Sequence, residues 1–404
     1  MQCAFYRSRG CVRAQLRFLD GNSFGCDKAR ELTQNENMLK AGIVGLPNVG
    51  KSTLFNALMQ SHKAAAENYP FCTVDPNRGV VYVPDERLEA IAQVVGVSNK
   101  VPAAIEIVDI AGLVKGASRG EGLGNKFLSH IREVDAIVHV VRCFDNPDVV
   151  HVPGELDPLR DVEIVTTELV LADLEAVRKR REKIQRDVKR GDKHAIAEDH
   201  VLQRLEAHLN TGAPAILLSM SREEWQLAAS CYLLTARPTL FVANVDEATL
   251  SNPSGNQWVQ QLREYVINHH GCGLAIVCAK LEADLVGLSS EEAAAFLAEM
   301  GVRESALNQL IKNIYSLLGL RTFFTFNEKE VRAWPVVAGT TARKAAGKIH
   351  TDFERGFIMA EKVFWKDLVE AGSVPAARQA GRYSHEGAEY VVQDGDVLLF
   401  RFNV

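Results

Sequence analysis

From residue 38 to about residue 150, short apolar runs alternate with amphipathic stretches. The runs fall at 41–44, 79–83, 104–108 and 136–141, and a helical pattern opens at Lys51. Two more, at 239–243 and 274–277, resume the pattern after an interruption. Unbroken apolar runs of this length read as strands covered on both faces, and strands alternating with helices build a mostly parallel sheet. The expected fold class is α/β.

The interruption, from about 155 to 232, reads as helical throughout. Leu169, Leu171, Leu174 and Val177 make a partial apolar stripe, and 178–193 is dense in Lys, Arg, Glu and Asp. An inserted helical hairpin of coiled-coil type fits this pattern. Its run Arg178-Lys179-Arg180-Arg181 is either a solvated helix face or a prong aimed at RNA. From about 320 the texture changes, with 322–326, 356–360 and 397–402 as strands around two short helices. The chain thus divides into an α/β domain over 38–320, carrying the insert, and a small α+β domain over 321–404. Residues 1–37 stand apart as an extension expected to be disordered, with Arg7, Arg9, Arg13 and Arg17 preceding the first acid, Asp20. That composition permits a transit peptide. A mis-assigned start codon is preferred, because Met38 leads directly into the first apolar run.

Composition narrows the class without naming the chemistry. With 47% hydrophobic and 24% charged residues over 404 positions, the chain has the balance of a soluble globular protein. A net charge of −5 advertises neither nucleic acid nor membrane. No apolar run approaches the roughly 18 residues needed to span a bilayer. The eight cysteines are scattered without a Cys-x-x-Cys pair, so reduced thiols in the cytoplasm are expected, with Cys72 as the one thiol considered for redox sensing.

The specific signal is Gly45-Leu-Pro-Asn-Val-Gly50-Lys51-Ser52-Thr53, which lies between a buried strand and a helix, where a P-loop must lie. Backbone amides of Asn48, Val49, Gly50, Lys51, Ser52 and Thr53 are placed to surround a β-phosphate. Lys51 is placed to reach the β and γ oxygens, and Ser52 to ligate Mg²⁺. A second element ends the run at 104–108: Asp109 for the metal, and Gly112, whose amide would report the γ-phosphate. Thr73 is the expected switch threonine of the metal shell. The base-reading element is expected at Asn244-Val245-Asp246-Glu247, completed by Ala279-Lys280. Guanine-specific enzymes carry Asn-Lys-x-Asp there. Here Val245 replaces the lysine and Glu247 the aspartate, which should spoil a bidentate contact of the kind that discriminates by about 1–3 kcal/mol. Where a Ras-like enzyme places a water-orienting glutamine this chain has Leu113, so hydrolysis must draw on another group. Asn48 is either a K⁺ ligand or structural. Of the nearby histidines, His139 reads as a core residue, and His151, on spacing alone, as a loop residue with freedom to act.

Together these residues resemble the Obg-like ATPase (YchF) family of P-loop proteins over nearly the whole of 38–404. The signatures are Gly45-Leu-Pro-Asn-Val-Gly-Lys-Ser-Thr-Leu-Phe-Asn56, Phe71-Cys-Thr-Val-Asp-Pro-Asn77 and Asp109-Ile-Ala-Gly-Leu-Val-Lys-Gly-Ala-Ser118, continuing through Gly120-Glu-Gly-Leu-Gly-Asn125. The ending Gly395-Asp-Val-Leu-Leu-Phe-Arg-Phe402 resembles the last strand of that family's TGS domain, a β-grasp module. The resemblance implies an Mg²⁺-dependent ATPase that prefers ATP to GTP and has an apolar residue in place of the glutamine. It also implies a catalytic role for His151, and a switch linked to ribosomes and stress responses. The large ribosomal subunit would be met through the helical insert and the TGS domain. Two rivals stay open: a GTPase of the wider Obg group, and a nucleotide-responsive binding module whose hydrolysis is incidental.

Overall fold

The computed structural model describes residues 38–61, 77–110, 123–146, 156–269, 272–302 and 304–403. Its strands, in chain order, begin with β1 (Lys40–Val44), β2 (Arg78–Tyr82), β3 (Lys100–Val101), β4 (Ala104–Asp109), β5 (Ala136–Arg142), β6 (Thr239–Asn244) and β7 (Cys272–Val277). The later strands are β8 (Leu320–Phe326), β9 (Val331–Val337), β10 (Phe357–Phe364), β11 (Ser384–Glu386) and β12 (Asp396–Phe402).

The first sheet runs β2-β4-β1-β5-β6-β7, parallel throughout except for β2, which lies antiparallel to β4 at the edge. Every residue of β5 is buried, as a strand covered on both faces requires. The helix Lys51–Ser61 turns Leu54, Phe55, Ala57 and Leu58 to the sheet, a helical spacing that makes one apolar face. The expected α/β fold is what forms, and each of the six runs read as strands lies in it.

The insert is a pair of antiparallel helices, Pro158–Lys189 and Lys193–Leu209, each opened by an aspartate cap. Asp157 accepts the Arg160 amide at 3.1 Å, and Asp192 accepts that of Ala195 at 2.7 Å. Their shared seam holds Val170, Leu174, Val177 and Ile184 against Val201, Leu202 and Leu205. Leu171, expected in that stripe, instead faces solvent, and Leu169 belongs to the main core. Three residues of the basic run pair with the returning helix. Arg178 meets Glu206 (2.8 Å), Arg180 meets Glu198 (2.6 Å), and Arg181 meets Asp199 (2.9 Å) and Glu206 (2.6 Å), all on the returning helix. Lys179 pairs instead within its own helix, with Glu175, and both it and Arg178 stay exposed.

The second sheet runs β11-β10-β12-β8-β9-β3, so it takes in β3 from the first region. Val331 donates its amide to the Asn99 carbonyl at 3.0 Å, and Arg87 pairs with both Asp85 and Asp394 at 2.7 Å. Helices Ala342–Ile349 and Thr351–Arg355 pack on β10 from one side, and Trp365–Ala371 bridges to the helix Glu86–Val95. The α+β unit expected as separate thus shares a sheet and a core with the first region. β9 carries Pro335 beyond the two residues that β3 pairs, where the sheet edge has no need of its missing amide. Among the described residues no helix is long and apolar enough to cross a membrane.

Candidate nucleotide site

The site lies where β1, β4, β6 and β7 end, the position at which parallel α/β sheets take ligands. After Val44 the chain makes a tight loop before the helix at Lys51. Two residues there adopt left-handed backbone, Asn48 at φ 64° and Gly50 at φ 89°. Gly50 is required twice over, because a Cβ on it would stand 2.2 Å from Asn244 Nδ2. The first turn of the following helix has no acidic residue, and Ser52 and Thr53 are exposed there. Its amides thus face outward with no internal anion to meet them, which suits an external phosphate.

Lys51 reaches across to β4 and makes a short ion pair with Asp109, both largely buried. The oxygen donors beside it, Ser52 and Asp109, suit a hard cation such as Mg²⁺, and the ammonium already places positive charge against that carboxylate. Among the described residues no cluster of three or more His, Cys, Asp and Glu forms a metal site by itself.

Asn244, at the end of β6 and only 5% exposed, ties the loops together. Its Nδ2 donates to the Val49 carbonyl at 2.9 Å, and its Oδ1 accepts the Ala279 amide at 3.0 Å. Val245 is buried in the apolar cluster of Phe241, Val259, Leu262 and Leu281. The two acids that follow are already engaged. Asp246 caps the short helix Glu247–Ser251 by accepting the Thr249 amide at 2.8 Å, and Glu247 accepts from Lys280 at 3.3 Å.

His139 sits fully buried in β5 beside Phe241, with ring centroids 5.4 Å apart. Burial alone pushes its pKa down to about 4, so it is a neutral core residue, as its strand position predicts. Burial also raises the Cys143 thiol far above its usual range, which leaves it inert. The structure thus brings Asn48, Val49, Gly50, Lys51, Ser52, Thr53, Asp109, Asn244 and Ala279 to one end of the sheet, with Glu247 at its rim. Thr73, Gly112 and His151, with Cys72 and Leu113, lie outside the described residues. Sequence reasoning missed the Lys51–Asp109 and Lys280–Glu247 pairs. The signal for the second was the place of both residues just past neighbouring parallel strands.

Comparison with known proteins accords with this geometry. Residues 40–202 match the family model "50S ribosome-binding GTPase", and residues 320–403 match YchF-GTPase_C, whose description is a protein of unknown function. The chain is 52% identical over 366 residues to "Ribosome-binding ATPase YchF" of Bacillus subtilis, covering 91% of this chain and 100% of that one. It is 43% identical over 369 residues to "Obg-like ATPase 1" of Gallus gallus, covering 90% and 92%. The solved structure of the Schizosaccharomyces pombe YchF GTPase superposes with a TM-score of 0.82 at 38% identity, covering 90% of this chain and 98% of that one.

Proposed function

The chain belongs to the YchF family, and from that premise we propose that it hydrolyses nucleoside triphosphates with Mg²⁺, prefers ATP to GTP, and serves as a nucleotide-controlled switch on the ribosome. The observation that carries the reading is the P-loop helix, whose acid-free first turn and largely buried Lys51 converge with Asp109 at the end of the sheet. In this reading the amides of residues 48–53 bind the β-phosphate. Lys51 leaves Asp109 to meet the β and γ oxygens. Ser52, Asp109 and Thr73 hold Mg²⁺, which when bound neutralises charge on the phosphates. Asn48, fixed in left-handed backbone, is assigned to K⁺. Gly112 reports the γ-phosphate, and His151 acts on the attacking water in the absence of a catalytic glutamine.

ATP preference is supported by the base end of the site. Val245 is spent on the core and Glu247 on Lys280, so neither is positioned as the Asn-Lys-x-Asp pair of a guanine reader would be. Asn244 and Ala279 are then left to shape the base pocket. The reading places the protein in the cytoplasm, with a link to stress responses, and assigns contact with the large ribosomal subunit to the helical insert and the second-sheet domain. On the insert, that contact falls to exposed residues near its tip such as Lys183, Arg186, Lys189 and Lys193, because Arg178, Arg180 and Arg181 are already paired with acids of the returning helix.

Equilibrium binding of fluorescent ATP and GTP analogues with Mg²⁺ tests the base assignment. Wild type should favour ATP, and the double variant Val245→Lys, Glu247→Asp should move toward GTP. A wild-type preference for GTP would sink it. His151→Ala should bind ATP normally and turn over slowly, and unchanged turnover would remove that residue from the mechanism.

A further inference from the structure

At the opposite end of the first sheet, where β1, β5 and β6 begin, lies a cavity of about 330 Å³ that the nucleotide reading does not use. All three parts of the molecule line it. Leu39 and Val134 come from the strand starts, Trp225 and Tyr232 from the last turns of the insert, and Leu318 and Val337 from the second-sheet side. Its size falls at the small end of ordinary ligand pockets, roughly 300–1,000 Å³.

Two charged residues also line it, and they are committed differently. The Arg237 guanidinium donates from all three nitrogens to backbone carbonyls, those of Val134, Leu233 (3.1 Å) and Arg132 (2.8 Å). Asp135 accepts the Lys40 amide with one oxygen at 2.9 Å. Its other oxygen has no hydrogen-bond partner among the described residues. Asp135 is half-buried, so this oxygen is reached from the cavity and is open to a donor that enters it. Burial holds the Asp135 carboxyl above its usual range, against the opposing pull of the Lys40 amide and of the Arg237 and Lys40 charges. At the rim, Tyr232 is held in left-handed backbone at φ 49° and is 69% exposed, a conformation that an aromatic residue rarely adopts. An aromatic rim over a carboxylate favours a cation and disfavours an anion.

We propose that this cavity is a second binding site, for a small amphiphilic amine whose apolar body seats against Trp225 and Tyr232 and whose protonated nitrogen donates to the open oxygen of Asp135. Such a ligand touches the sheet, the insert and the second-sheet domain at once, so its binding favours the arrangement that brings the three together. The inference stands apart from the nucleotide reading and does not depend on it.

The test uses the full chain and two probes with the same ring and opposite charge, 2-phenylethylamine and phenylacetate, followed by saturation-transfer NMR. The amine should bind at about 1 mM and the acid should not. Asp135→Asn retains an acceptor for the Lys40 amide and should weaken amine binding about tenfold or more. Ala229→Trp, at the exposed mouth, should abolish it without changing charge. Both variants should bind the ATP analogue as wild type does, which shows that the fold is intact. Equal binding of amine and acid, amine binding unchanged in Asp135→Asn, or no amine signal from wild type would each overturn the proposal.

Discussion

The described residues form two six-stranded sheets, and they use buried polarity in different ways. In the second sheet, polar groups close on one another. Tyr315 meets Thr322 at 2.7 Å, Tyr390 donates to Asp396 at 2.8 Å, and Glu361 lies between Arg378 (2.6 Å) and Arg401 (2.8 Å). In the first sheet one set of them converges at the strand ends, where Asn244 braces two loops, Lys51 meets Asp109, and a helix opens its amides to solvent. Polar groups that satisfy each other specify packing. Polar groups converging on a helix start with donors to spare mark a place for a ligand.

Substitutions can separate those roles. Phe324→Ala, in the second sheet, removes a fully buried ring over which Arg87 stacks at 5.2 Å. It should cost about 3–5 kcal/mol in thermal or urea unfolding, while the folded fraction keeps its nucleotide affinity. Lys51→Ala should do the reverse, weakening binding of the ATP analogue about 100- to 1,000-fold with little change in unfolding. If Lys51→Ala unfolds the protein instead, the contrast between the sheets fails.

Acid should discriminate next. His139 in the first sheet has a folded pKa of about 4, below its ordinary 6.5. Its contribution is therefore complete above pH 6.5 and is lost as pH falls toward 4, because only the unfolded chain takes up the proton there. The loss should be about 3 kcal/mol in order of magnitude, read from urea midpoints across that window and absent in His139→Phe. The smallest effect is expected at the rim. Lys280→Ala frees Glu247 from an exposed pair, and the GTP-to-ATP affinity ratio should rise by about two- to fivefold.

The legibility of the two sheets in the sequence follows the same division. Strands covered on both faces leave unbroken apolar runs, so β1, β4, β5 and β6 announce themselves. β9 does not, because it alternates between buried and half-buried residues and contains Pro335. β3 is two residues long and polar at its first position, and nothing local distinguishes it from a turn. In the insert, both Val170 and Leu171 fit an apolar stripe. Only the position of the returning helix chooses Val170. At the site, the P-loop and Asp109 are legible because phosphate chemistry demands fixed residue types at fixed spacing. The pairing of Glu247 with Lys280, and that of Arg178, Arg180 and Arg181 with the returning helix, depend on neighbours distant in the chain and leave no periodic trace.

The borrowed strand β3 gives the order of synthesis a structural meaning. Lys100 and Val101 leave the ribosome long before Val331 and Arg332, with which they pair. Until then the nascent chain carries an unmated edge beside the apolar flank of Glu86–Val95, and a product truncated before Leu320 carries it permanently. Such edges are templates for aggregation and targets for quality-control proteases. A later segment thus covers the open edge of an earlier one, and folding of the second sheet removes the hazard that the first region carries while it waits.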